Sequence, residues 1–185
     1  MTATAAVRRA DEVTLVERAR AGDTAAFEVL LRDRIDGLVR TAWVILGDEA
    51  DARDATQEAC LAAWRELPRL RDVIAFDAWL NRVLVNACRM SLRRRGRVRE
   101  IPIDPLPESA TLSDPGIAGI DEREAILRAF DRLTFDHRMI LVLHHLRHEP
   151  VASIAAQLGI PVGTVKSRLH AARSALESEL AGERR

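Results

Sequence analysis

Proline placement constrains this chain more than any other feature. Four of its seven prolines, Pro102, Pro105, Pro107 and Pro115, fall between residues 101 and 120, beside three acids and no base. Proline has no backbone N–H to donate and breaks the interior of a helix or sheet. A compact domain rarely carries so long a stretch without regular structure, so 99–119 is expected to be a flexible, acidic, Pro-rich linker. Cut there, a chain of 185 residues forms two small bodies, about 10–98 and 120–181, each large enough for one core.

Both bodies are expected to be helical. Period-two alternation and hairpin dipeptides are nearly absent, and no internal repeat is visible. Residues 11–21 predict a first helix closed by Gly22. Asp23 or Thr24 caps a second, whose apolar positions Phe27, Leu30, Leu31, Ile35, Leu38, Val39, Ala42 and Leu46 run on to Gly47. Asp48 opens a third, ending near Glu66 ahead of Pro68. After a loop over 69–73, Phe76, Leu80, Val83, Leu84 and Ala87 mark a fourth. The fold class is therefore all-α, a four-helix domain followed by a second helical domain.

The second domain carries the sharpest motif, VASIAAQLGIPVGTVKSRLHAAR over 151–173. Ile154, Ala155 and Leu158 give a short helix an apolar side. Gly159 can take the positive φ that ends it, and Pro161 suits the next helix start. Val165, Leu169, Ala172, Leu176 and Leu180 then recur at steps of three and four. Two helices joined by so short a turn match a helix-turn-helix, whose second helix enters the DNA major groove. Gly163, Ser167, His170, Ala171 and Ser174 form the opposite face, edged by Lys166, Arg168 and Arg173. No acid occurs from Pro150 to Leu176, so a polyanion meets no repulsion there.

Net charge is zero, with 28 basic and 28 acidic residues, which argues against an indiscriminate nucleic-acid binder. The distribution is uneven. Seven arginines and no acid occur from Ala78 to Arg99 (Arg82, Arg89, Arg93, Arg94, Arg95, Arg97 and Arg99). Some of them can simply cap a helix C-terminus. Asn81 and Asn86 on the same helix can hydrogen-bond a base, and Trp79 reads as core. The third helix has the opposite sign: Asp48, Glu49, Asp51, Asp54 and Glu58. Acids favour a helix N-terminus, but five in eleven residues exceed what capping needs. That patch repels DNA and is expected to dock on a basic protein.

Other chemistry is poorly supported. Cys60 and Cys88 fall in apolar helical settings and read as packed thiols. His144 and His148 lie one turn apart, yet neither Cys nor carboxylate completes a ligand set, so no metal is expected. No cofactor, phosphate-binding glycine loop or nucleophile–base pair is visible, and no catalytic residue is assigned. No apolar run nears the roughly 20 residues that span a bilayer. The N-terminus lacks a signal peptide's apolar core, so a cytoplasmic location without membrane insertion is expected.

DATQEACLAAW (54–64), FDAWLNRVLVNACRM (76–90) and IAAQLGIPVGTVKSRL (154–169) together resemble bacterial RNA polymerase sigma factors of the sigma-70 family, extracytoplasmic-function type. The resemblance keeps the order region 2, linker, region 4. It implies that 10–98 is region 2 and 120–181 region 4. It implies that Asp54, Gln57 and Glu58, with Asp51 and Trp64 nearby, dock on core RNA polymerase at the β′ coiled coil, the β subunit being a further partner. Arg71 and Asp72 in the loop, and Arg82, Asn86, Arg89 and Arg93 on the next helix, would bind the promoter −10 element and its melted strand. Thr164, Lys166, Ser167, Arg168, His170 and Arg173 would bind the −35 element. The linker would thread toward the RNA channel, and an anti-sigma factor is an expected partner.

Some positions depart from the family pattern. Ala171 stands where many relatives have Arg. Thr134-Phe135 replaces a common proline, Arg147, His148 and Glu149 fill a turn that often holds glycine, and Ser153 replaces a frequent Glu. The competing reading is a stand-alone helix-turn-helix transcriptional regulator. It leaves the acidic helix and the 78–99 basic run unexplained, and core polymerase pulldown by a 1–98 fragment separates the two.

Overall fold

A computed structural model describes residues 2–94 and 120–183, with side chains for 10–94 and 125–182. The expected linker over 99–119, and Arg95, Arg97 and Arg99, lie outside the described residues. Among the described residues every regular element is helical. The chain divides into two compact units, Met1–Trp43 with Asp48–Arg94, and Arg95–Arg185 with Val44–Gly47.

In the first unit α1 (Thr2–Arg20) starts well before the expected Asp11. Gly22, at φ +98°, turns the chain after it. Asp23 then caps α2 (Thr24–Arg32) by accepting a bond from the Ala26 N–H at 3.0 Å. That bond and the Arg18 guanidinium, 2.6 Å away, hold the Asp23 carboxyl below its usual range. Val16, Phe27 and Leu30 are buried from these elements.

The helix expected over 24–46 is two helices, α2 and α3 (Ile35–Leu46). Arg34 causes the break. Its N–H bonds the Leu31 carbonyl at 2.9 Å instead of the Leu30 carbonyl that a continuous helix would supply. Its Nη1 donates to that abandoned Leu30 oxygen, also at 2.9 Å. The same guanidinium pairs with Glu12 and with Asp77, so several partners outside the helix favour the kink.

Asp48 caps α4 (Glu49–Glu66), accepting from the Asp51 N–H at 2.9 Å. Ala52, Ala55, Ala59 and Ala63 are fully buried on one side of α4, a stripe of small residues that lets α5 (Phe76–Arg94) approach closely. Phe76, Trp79, Leu80, Val83, Leu84, Ala87 and Cys88 are the buried side of α5. Each large apolar side chain so buried contributes about 1.5–3 kcal/mol. Phe27 meets Trp64 with ring centroids 5.2 Å apart. Between α4 and α5 run two short 3₁₀ turns, Leu67–Arg69 and Val73–Ala75.

The second unit contains α6 (Ile120–Arg132), α7 (Phe135–Leu141), α8 (Val151–Leu158) and α9 (Val162–Glu183). Thr134 caps α7 by accepting from His137 N–H at 3.3 Å. After α7 the chain unwinds into a looser turn over Val142–Leu146, closed by an Arg147 N–H to Val142 carbonyl bond of 3.0 Å. His148 then takes φ +52°, the left-handed conformation for which glycine is better suited. Met139, Ile140, Leu143, Ile154, Val165, Leu169 and Ala172 form the core.

Candidate nucleic-acid and protein interfaces

The helix-turn-helix forms as its turn chemistry demands. Gly159 ends α8 at φ +66°, ψ +32°, with its N–H on the Ala155 carbonyl. Pro161 stands just before α9, and its carbonyl takes the Val165 N–H at 3.2 Å. Val165, Leu169 and Ala172 are buried; Leu176 and Leu180, expected on the same stripe, are half-buried. At the other end of α8, the half-buried Ser153 hydroxyl donates to Glu149 Oε2 at 2.7 Å and accepts from Gln157 Nε2 at 3.2 Å. Glu149 is only 8% exposed. Ser153 therefore serves a carboxylate already placed in the turn.

On α9, Gly163, Lys166 and Ser174 are exposed, and Thr164, Ser167, Arg168, His170, Ala171 and Arg173 are half-buried. Ser167 returns its hydroxyl proton to the Thr164 carbonyl at 3.1 Å. Arg173 Nη2 lies 3.2 Å from His145 Nε2, so this cation leans back on the turn after α7. Arg168 acts electrostatically on His137, whose imidazole burial pushes below its ordinary pKa. Lys166 thus extends freely to solvent from a face without acids, while Arg168 and Arg173 start from positions against the domain. His144 Nδ1 is 3.1 Å from the Glu149 carbonyl oxygen, which ties that ring into the same turn.

In the first unit, Asp54 and Gln57 are exposed on α4 and Glu58 is half-buried. Asp51 departs from this group. It is 1% exposed, because it lies one turn before Ala55 on the packed side of the helix. Trp64 is half-buried against Phe27 and offers one edge rather than a whole ring. Sequence reasoning passes over Leu61, which is 56% exposed and lies one turn beyond Gln57 and Glu58. An apolar residue outside the buried stripe was the available signal.

Arg82, Asn86, Met90 and Arg93 are exposed on α5, with Arg89 half-buried beside them. Their spacing puts them along one side of the helix. Met90 was also missed; its exposed thioether can lie against a base. Asn81, by contrast, is buried and offers nothing to a ligand. In the preceding loop Arg71, Asp72 and Ile74 are exposed, Ile74 at 66%. Asp72 Oδ1 accepts from the Ile74 N–H at 3.0 Å, which shapes the loop tip. The acidic and basic helices touch electrically at one end, where Arg94 Nη2 meets Glu58 at 2.7 Å. Both are substantially exposed, so the pair adds about 0–1 kcal/mol. Each helix also carries a minority of the other sign, Arg53 paired with Glu49 on α4 and Asp77 of α5 paired with Arg34, but acids predominate on α4 and arginines on α5.

Residues 30–98 match the family model for sigma-70 region 2, and residues 123–176 match that for sigma-70 region 4. The RNA polymerase sigma-E factor of Streptomyces coelicolor is 33% identical over 159 residues, covering 86% of this chain and 88% of that protein. The chain belongs to the sigma-70 family of RNA polymerase sigma factors. Its extracytoplasmic-function type follows from SigM of Mycobacterium tuberculosis strain H37Rv, 36% identical over 156 residues, 84% of this chain and 78% of its relative. A solved structure of CnrH in complex with the cytosolic domain of CnrY is 25% identical, with a TM-score of 0.68 over 92% of this chain and 97% of that one. This sigma factor is accordingly a promoter-specificity subunit of RNA polymerase, acting in transcription initiation through a region 4 helix-turn-helix. The presence of region 2 as well as region 4 removes the stand-alone regulator reading.

Proposed function

We propose that this sigma factor divides its work among three surfaces of defined charge. The α4 face of Asp54, Gln57, Glu58 and Leu61, with the exposed edge of Trp64, docks on core polymerase at the β′ coiled coil. Asp51 helps to form that helix from within. The 67–75 loop, through Arg71 and Asp72, and the α5 side of Arg82, Asn86, Arg89 and Arg93 bind the −10 element. Thr164, Lys166, Ser167, Arg168, His170 and Arg173 on α9 bind the −35 element. The observation that carries this reading is the sorting of acids and arginines onto different helices.

The mechanism is differential binding. Phosphate contacts hold the duplex in register, and base contacts select among sequences. Unstacking a −10 base costs a few kcal/mol, which capture on the loop and the α5 side offsets. The sigma factor supplies no catalytic group of its own; bond formation belongs to the polymerase. It works in the cytoplasm, where core polymerase is found. No helix among the described residues is long and apolar enough to cross a membrane. An anti-sigma protein covers one or more of these faces, as suits a relative of CnrH, which was solved with a protein partner.

Run-off transcription with core polymerase on a genomic promoter library tests the reading and yields the promoter. Lys166→Ala or Arg168→Ala should lower transcription from −35-dependent templates roughly tenfold, as expected for one lost base or phosphate contact. Core binding should stay unchanged. Equal loss on templates lacking a −35 element would contradict the assignment of α9.

A further inference from the structure

The loop over 67–75 alternates inward and outward residues. Leu67, Leu70 and Phe76 are buried, whereas Arg71, Asp72 and Ile74 project to solvent. These apolar anchors set the depth of the loop. Two guanidiniums from outside the loop supply direction. Arg20, at the end of α1, donates from Nη1 to the Leu70 carbonyl at 3.2 Å. Arg34, at the α2–α3 break, donates from Nε to Asp77 Oδ1 at 2.6 Å. Its guanidinium carbon lies 5.4 Å from the Phe76 ring centroid. Arg34 is also bonded to Glu12 of α1. One bond therefore falls just before Arg71 and Asp72, and the other just after the loop, with α1 joined to both.

We infer that Arg20 and Arg34 are positioning residues for −10 recognition: through α1 they hold the 67–75 loop on either side of its exposed tip, Arg71 to Ile74, in the shape that captures an unstacked base. The inference rests on the reading of this loop as a −10 surface. Neither arginine touches DNA in this account. They act by removing the ordering cost that a loose loop would carry at the moment of capture. The break in the helix over 24–46 thereby acquires a purpose, since an unbroken helix would leave the Leu30 carbonyl no need of the Arg34 side chain.

The test uses full-length sigma assembled with core polymerase on a promoter obtained from the library selection. The probe is a single-stranded oligonucleotide carrying the non-template −10 sequence of that promoter. Arg20→Met and Asp77→Ala each remove one clamp while leaving the buried anchors intact. Each should weaken oligonucleotide binding about three- to tenfold, the loss expected for one hydrogen bond, with core affinity unchanged and Tm lowered by only a few degrees. Because the clamps lie on opposite sides of the exposed tip, the double variant should lose more than either single. An Arg71→Ala/Asp72→Ala variant reports on the loop itself. If that variant weakens binding and the clamp variants do not, the positioning role is overturned while the loop reading stands. If the loop variant binds normally, the loop reading falls and the inference with it. If Arg20→Met lowers core affinity and oligonucleotide binding alike, Arg20 is a general structural residue and the inference is overturned.

Discussion

At the scale of residues, backbone and protonation make separable predictions. Gly159 has open space where a Cβ would go, so Gly159→Ala should cost only its left-handed φ, about 1–2 kcal/mol, read from urea denaturation. His137 loses proton affinity through burial, with Arg168 adding to the effect and Asp136 opposing it. Its folded pKa lies below the ordinary value near 6.5. The stability it allows is full above that value. As pH falls, the unfolded chain protonates first and stability declines until the folded pKa is passed. His137→Gln should flatten the pH dependence of urea midpoints in that window; an unchanged slope would contradict this. Burial also pushes the Cys88 thiol up to about 12, so alkylation of native protein at pH 8 should spare it. Cys60 is half-buried, with its thiol raised less.

At the scale of elements, what was legible in the sequence is what local chemistry decides. Gly22, Asp23, Asp48 and Gly159 marked ends that the structure bears out, because caps and left-handed turns depend on the residue that stands there. The break at 33–34 was invisible. No Pro or Gly marks it, and its cause is a guanidinium reaching Glu12 and Asp77, far off in sequence. Burial of Asp51 was half-legible. Its step of four to Ala55, and the run Ala55, Ala59, Ala63, announce a packed side, but small residues signal packing faintly and an acid argues against it. Leu61 and Met90 escaped for the opposite reason, as apolar residues off the stripe. Packing of α5 against that alanine side predicts that Leu84→Ala costs about 2–5 kcal/mol, measured by calorimetry on the full chain.

At the scale of the whole molecule, a neutral chain meets both a protein and a polyanion by keeping the two signs apart. Among the described residues the Glu58–Arg94 pair joins the two faces, and it is too exposed to neutralise either. The most direct measurement of this sorting is competition for core polymerase by purified full-length variants. Asp54→Lys/Glu58→Lys should lose core affinity by on the order of a hundredfold or more, since like charges would then oppose each other across the interface. Its circular dichroism should match the parent. Lys166→Ala/Arg168→Ala should compete as well as the parent. A double-lysine variant that displaces the parent from core polymerase at equal concentration would contradict the account.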